Sequence, residues 1–277
     1  MNPILTGLLA EEWANKPPKP TALGTPLRYS SAHGCARQMA YHATGTPPSD
    51  PMDEGDAWAP GIGTLLHEAA QEAIRRVYKA SIFEDTSHLG DYISGSCDAL
   101  ILSQDILSNT GEDLGGEYVL WEFKTMGEFA FDKQVGYNRR AAKVGNGEGP
   151  KRGAIAQAGM NALGLERKYN TDIQTILMGS VSLSPLSVKK AAEMGLFGFA
   201  RFGAEFRIPR DEWEPLAMAE FERLDGIGEM LAMGILPDRT AVDDQGRTLY
   251  LNPRGKDWQC DYCPFRTTCI YQGEGEG

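Results

Sequence analysis

Cysteine and basic residues are both in short supply in this chain, and each shortage excludes something. Five cysteines in 277 residues are too few and too unevenly spread for the disulfide framework of a small secreted domain. No apolar run approaches the roughly 18–20 residues that span a bilayer, so no membrane helix is expected. The opening Met-Asn-Pro-Ile-Leu-Thr-Gly-Leu-Leu-Ala lacks a basic leader and runs straight into Glu11 and Glu12. A signal peptide is therefore not expected, and the reading is a cytoplasmic protein. Lys and Arg number 27 against 38 acids, a net charge of −11, which argues against indiscriminate coating of nucleic acid while leaving room for local basic patches. What is present is ordinary for a globular chain: 42% hydrophobic and 23% charged residues, against wholesale disorder. The length suits one large domain or two small ones.

Residues 1–27, with Lys16-Pro-Pro-Lys19-Pro20 and little periodicity, read as an N-terminal arm. A helix is expected over 29–41, then a solvated loop over 46–60 with four prolines and four acids. Leu66, Ala70, Ala73 and Val77 recur at spacings of three and four, which predicts a helix over 61–80. Strands follow over 92–102 and 117–125, the two joined by a polar, glycine-rich connection. Next come a small-residue helix over 151–165, strands over 172–183 and 199–208, and a long amphipathic helix over 211–233. Residues 235–257 read as irregular and 258–271 as a cysteine knuckle before an acidic Gly-Glu tail. The alternation predicts an α/β core, a mixed central sheet flanked by helices. Its helical N-terminal part would span 28–80 and its catalytic core 81–234, within a domain covering 28–257; residues 258–277 would close onto it.

Asp98 lies in Ser-Gly-Ser-Cys-Asp-Ala-Leu-Ile-Leu, and Glu122 and Lys124 in Leu-Trp-Glu-Phe-Lys-Thr. Side chains alternate along a strand, so Glu122 and Lys124 share one face and Phe123 takes the other. Burying such a pair is costly without partners. A hard cation, Mg²⁺ or Mn²⁺, between the Asp98 and Glu122 carboxylates would be one. Lys124 would then polarise a water or neutralise a phosphate. The plainer alternative is an edge strand whose Glu and Lys face solvent. His67 stands upstream in Gly63-Thr-Leu-Leu-His67-Glu-Ala-Ala-Gln71, on the predicted helix, with Gln71 one turn on.

This ordered set, a helical His, a strand Asp, then Glu-x-Lys, resembles the RecB-type exonucleases of the PD-(D/E)XK nuclease superfamily. The resemblance implies that His67, Asp98 and Glu122 bind divalent metal, with the backbone carbonyl of Phe123 as a further ligand, and that Lys124 assists catalysis. Gln157, in Ala-Ile-Ala-Gln-Ala-Gly-Met, matches the family's Gln motif; the aromatic usually found four residues on is Asn161 here.

Cys260, Cys263 and Cys269 form a C-x2-C-x5-C knuckle. Thiolates this close favour zinc or an iron–sulfur cluster, and either normally takes four ligands. Cys35 is the leading fourth candidate, with His33 as a substitute thiolate replacement in a zinc site. Cys97, beside Asp98, reads as a small buried apolar residue. The family resemblance extends to this feature. Its iron–sulfur members, the CRISPR-associated Cas-four exonucleases and AddB-like subunits among them, carry one cysteine near the N-terminus and three at the C-terminus. That implies a [4Fe–4S] clasp tying the chain ends together.

Between residues 133 and 152, Lys133, Arg139, Arg140, Lys143, Lys151 and Arg152 face one acid, Glu148, with Tyr137 among them. Cations interleaved with aromatics suit single-stranded DNA, whose phosphates need charge and whose unpaired bases stack. By contrast, residues 84–117 hold eight acids and no Lys or Arg. The expected function is a metal-dependent DNA exonuclease acting on single-stranded ends, alone or with a recombination or CRISPR-adaptation partner. The alternatives are a non-catalytic DNA-binding or assembly subunit and a zinc-stabilised adaptor.

Overall fold

The computed structural model describes residues 27–50, 54–255 and 257–272; the arm expected over 1–27, apart from Leu27, and the acidic tail over 273–277 lie outside them. In chain order, strand β1 (Leu27–Arg28) leads through a 3-10 turn (Tyr29–Ser31) to helix α1 (Ala36–Ala43), and α2 follows (Glu54–Val77). Short strands β2 (Ile82–Phe83), β3 (Thr86–Leu89), β4 (Ile93–Ser96) and β5 (Ala99–Leu102) precede α3 (Ser103–Thr110). Strand β6 (Tyr118–Met126), α4 (Glu128–Val135), the hairpin β7 (Tyr137–Asn138) and β8 (Lys143–Val144), and α5 (Arg152–Tyr169) lead to β9 (Ile173–Ser182). Then come α6 (Val188–Glu193), β10 (Gly203–Pro209), α7 (Arg210–Ala232), the hairpin β11 (Thr240–Val242) and β12 (Thr248–Tyr250), α8 (Trp258–Asp261) and α9 (Arg266–Gln272). The architecture is mixed α/β. Among the described residues no helix is long and apolar enough to cross a membrane.

The chain divides into two compact units. One comprises Gly63–Ser87 and Ser96–Met218; the other holds the described residues up to Ile62, together with His88–Gly95 and Ala219 onward. The first is built on a five-stranded sheet in the order β10-β9-β6-β5-β2, with β6 and β9 parallel and the other pairs antiparallel. The parallel pair needs a long crossover, supplied by the chain from α4 through α5. Val119, Trp121 and Phe123 bury one face of β6 together with Ala99, Ile101 and Leu177, and Leu66, Ala70 and Ile74 of α2 pack on it. The opposite face of β6 meets α5, so helices cover both sides. The second unit holds the small sheet β1-β4-β3 and the β11–β12 hairpin.

Several boundaries differ from the sequence expectation. The helix expected over 29–41 is split, because His33 has a left-handed backbone (φ 61°) that an α-helix cannot contain; Cys35 then stands just before α1. The loop expected over 46–60 ends early, since α2 runs through Pro60 and forgoes only the hydrogen bond that proline cannot donate. The single strand expected over 92–102 is two, β4 and β5, in different sheets. Helix α3, in the expected polar connection, is closed by Gly111 in the left-handed region (φ 77°). The segment read as irregular, 235–257, contains the β11–β12 hairpin.

Candidate functional site

The plainer reading of the Glu-x-Lys strand, a solvent-facing edge, is overturned by the topology: β6 is the middle strand of five and Glu122 is only 2% exposed. The Lys124 ammonium donates to Glu122 Oε1 at 2.7 Å and to Gln157 Oε1 at 3.0 Å, and Gln157 Nε2 donates to the same Glu122 oxygen at 3.0 Å. The three side chains thus close a ring of hydrogen bonds between the sheet and α5. Glu122 Oε2 has no hydrogen-bond partner although it is buried. Burial drives the Glu122 carboxyl above its ordinary range, and the Asp98 charge adds to this against the pull of Lys124. Burial by itself would lower the Lys124 pKa, but the Glu122 carboxylate outweighs it and the pKa is raised. The pocket therefore favours the ammonium form of Lys124.

Asp98 owes its position to the break between β4 and β5. The chain leaves the ladder at Cys97, whose N–H donates to Asp85 O, and Asp98 is free to turn its carboxylate toward β6. One oxygen accepts the Phe123 N–H at 2.7 Å; the other lies 3.4 Å from His67 Nδ1. His67 is set by the spacing of α2. At Gly63 the helix lies so close to β6 that a Cβ would sit 2.8 Å from the Thr125 hydroxyl. One turn on, His67 meets the Phe123 ring edge-on, centroids 4.9 Å apart. One further turn on, buried Gln71 donates to the Asp98 carbonyl at 3.1 Å. Residues four apart share a helix face, so Gly63, His67 and Gln71 together lay α2 along β6. Sequence reasoning singled out all three without anticipating that Gly63 serves close approach. Cys97, buried as expected, has its thiol pushed up to about 12 by burial. Asn161 is buried, with neither side-chain polar atom hydrogen-bonded.

The donor set here is oxygen-rich, and the orphaned Glu122 oxygen is the feature a hard cation would satisfy. Among the described residues, however, no three His, Cys, Asp or Glu side chains are already gathered as a metal-binding group. As they stand, His67 and Asp98 pair with each other and Lys124 occupies the inner Glu122 oxygen.

In the other unit, Cys35, Cys260, Cys263 and Cys269 line one cavity, with Arg37, Arg239 and Arg266 beside them. Cys35 packs with Cys260, and Cys263 with Cys269, in two small apolar clusters. Burial raises the thiol pKa of Cys35, of Cys263 and of Cys260, the last to about 11, and the neighbouring sulfurs add to each rise. Backbone N–H groups of Gln38 and Phe265 face the Cys35 and Cys263 sulfurs, and Arg239 Nε donates to Cys269 Sγ at 3.0 Å. Four sulfurs that repel one another as thiolates fit a thiophilic cationic centre. His33 is not among the residues lining the cavity. Residues early and late in the chain meet around it: Tyr41 Oη donates to Gln272 Oε1 at 2.7 Å, and Asp50 accepts from the Thr267 backbone and hydroxyl at 2.8 and 2.7 Å.

The expected DNA contacts divide into two groups. Lys133 pairs with Glu148, and Arg139 pairs with Glu128 and Asp132; Tyr137 and Arg139 also donate to the carbonyls of Ala200 and Ser184. Those three brace the fold. Arg140, Lys143, Lys151 and Arg152 are exposed.

No protein-family model matches the chain, and no curated protein matches it. Among solved structures, the crystal structure of SSO0001 is similar at 16% identity and a TM-score of 0.49, over 96% of this chain and 94% of that one.

Proposed function

We propose that the protein is a metal-dependent DNA nuclease with a PD-(D/E)XK-type core, acting on single-stranded ends, and that its four-cysteine cavity holds an iron–sulfur cluster as a clasp. The observation that carries the reading is the buried Glu122 carboxylate in a central strand, one oxygen held by Lys124 and Gln157 and the other without a partner. A divalent cation held by Asp98, Glu122 and His67, with the Phe123 carbonyl, would lower the pKa of a water and offset charge on the scissile phosphate. Lys124, kept as an ammonium by Glu122, supplies a positive charge to the phosphate or orients the attacking water. Gln157 positions Lys124 and Glu122 from α5; Gln71 fixes the Asp98 backbone from α2. Phosphodiester hydrolysis by this set would leave a 5′-phosphate, as the resemblance implies. The all-sulfur donors of the cavity suit [4Fe–4S], with zinc as the alternative, and the cluster's part would be to join residues 35–50 to 250–272.

The test is a timed digestion of end-labelled single- and double-stranded DNA with Mg²⁺, Mn²⁺ or EDTA. Metal-dependent shortening from the ends of the single strand is expected. DNA left intact in both metals would favour the non-catalytic DNA-binding or assembly subunit.

A further inference from the structure

Two phenylalanines of the segment between β9 and β10 keep much of their apolar surface exposed. Lys124 registers with Ser180 on β9, and Met126 with Ser182. Just beyond, Ser182 N–H donates to Phe202 O at 2.7 Å and Leu183 N–H to Met126 O at 2.9 Å. The segment between β9 and β10 therefore starts about 7 Å along the strand from Lys124, at 3.3 Å per residue. That segment presents Phe197, 74% exposed, and Phe199, 52% exposed. Phe199 meets Phe202 edge-on, centroids 5.3 Å apart, and its ring lies against Gly203.

Hydrogen bonds tie this segment to one that carries cations. Tyr137 Oη donates to Ala200 O at 2.8 Å and Arg139 Nη2 to Ser184 O at 3.0 Å, which staples the β7–β8 hairpin to the phenylalanine segment. Arg140 and Lys143 of that hairpin are exposed, as is Lys189 of α6, and none of the three has an ion-pair partner among the described residues. Exposed rings tied in this way to uncommitted cations match a polymer that offers both bases and phosphates. A duplex hides its base faces, so the match is to unpaired DNA.

We propose that Phe197 and Phe199 form a base-stacking platform for single-stranded DNA, with Arg140, Lys143 and Lys189 contacting its phosphates. The platform takes its purpose from the nuclease reading, but its binding is measurable without cleavage.

The test uses the full chain in EDTA, with fluorescence anisotropy of a labelled thymidine oligomer and of the same-length abasic oligomer, which keeps the phosphates and lacks the bases. Wild type should bind the thymidine oligomer more tightly than the abasic one. Phe197→Ala/Phe199→Ala should weaken thymidine binding by about 5- to 100-fold per ring engaged, leave abasic binding alone, and keep the salt slope unchanged. Phe197→Trp/Phe199→Trp should restore the affinity. Arg140→Ala/Lys143→Ala should flatten the salt slope instead. Unchanged thymidine binding in the double alanine variant, equal wild-type affinity for both oligomers, or no binding at all would overturn the platform. Cleavage with ring-independent binding removes the platform and spares the nuclease; ring-dependent binding without cleavage in any metal does the reverse.

Discussion

Around Glu122 the protein has already joined most of its polar groups to one another, and they stand on the central strand of a five-stranded sheet and on the helices that flank it. Around the cysteines it has gathered four thiols on or beside short elements, with α8 of four residues and α9 of seven. The first region can fold with nothing added, because Lys124 and Gln157 satisfy one carboxylate oxygen and a helix covers each face. The second packs small apolar clusters around four sulfurs whose ionised forms repel. Its ordering would come from whatever binds the sulfurs. Under the proposed function, the contrast is between a site where a metal would serve chemistry and one where it would serve folding.

The largest effect should come from the first region and fall on activity. Glu122→Gln and Asp98→Ala should each cut metal-dependent cleavage by at least about 100-fold, and Lys124→Ala should do the same, with circular dichroism close to wild type and a lower melting temperature for the two variants that break the buried Lys124–Glu122 pair. A wild-type rate in purified Glu122→Gln would end the catalytic assignment.

Next, Cys35→Ala should act on stability. It should abolish the visible absorption of anaerobically purified protein and cost more than about 4 kcal/mol, the range of a lost metal site, whereas Cys97→Ala should retain the absorption. Iron, sulfide and zinc analysis decides the centre: stoichiometric zinc without iron would replace the cluster, and a cluster intact in Cys35→Ala would remove Cys35 from the ligand set.

A finer test of the first region is Gln157→Ala. Because it braces both Glu122 and Lys124, activity should fall by about 10- to 100-fold with little change in melting temperature. Rates equal to wild type would mean that Lys124 needs no brace.

The smallest expected effect is a gain. Asn161 is buried with both polar atoms unpaired, and removing such a group recovers about 1 kcal/mol. Asn161→Leu should therefore raise the melting temperature by roughly 2–4 °C and leave cleavage unchanged. A loss of activity would give Asn161 a part in the site.

Much of this was legible in the residues themselves. Alternation along Val119–Trp121–Phe123 placed Glu122 and Lys124 on one face, and the four-residue spacing of Gly63, His67 and Gln71 placed them on one side of α2. Burial was not legible, since only the strand order shows that β6 is central and not an edge. The split of residues 92–102 into β4 and β5 also escaped the sequence: an apolar run carries no mark of the point where it changes sheets, yet that break lets Asp98 reach Phe123 and His67. Phe197 and Phe199 escaped for a similar reason. They lie far along the chain from the basic residues, and the Tyr137–Ala200 and Arg139–Ser184 hydrogen bonds bring the two segments together.

The contrast between a chemical and a folding metal is tested most directly by titrating Mn²⁺ into wild type and Glu122→Gln, read by electron paramagnetic resonance, with the visible absorption recorded on the same samples. The account predicts stoichiometric Mn²⁺ binding in wild type, its loss in Glu122→Gln, and the same visible absorption in both. Equal Mn²⁺ binding by the two proteins would contradict it.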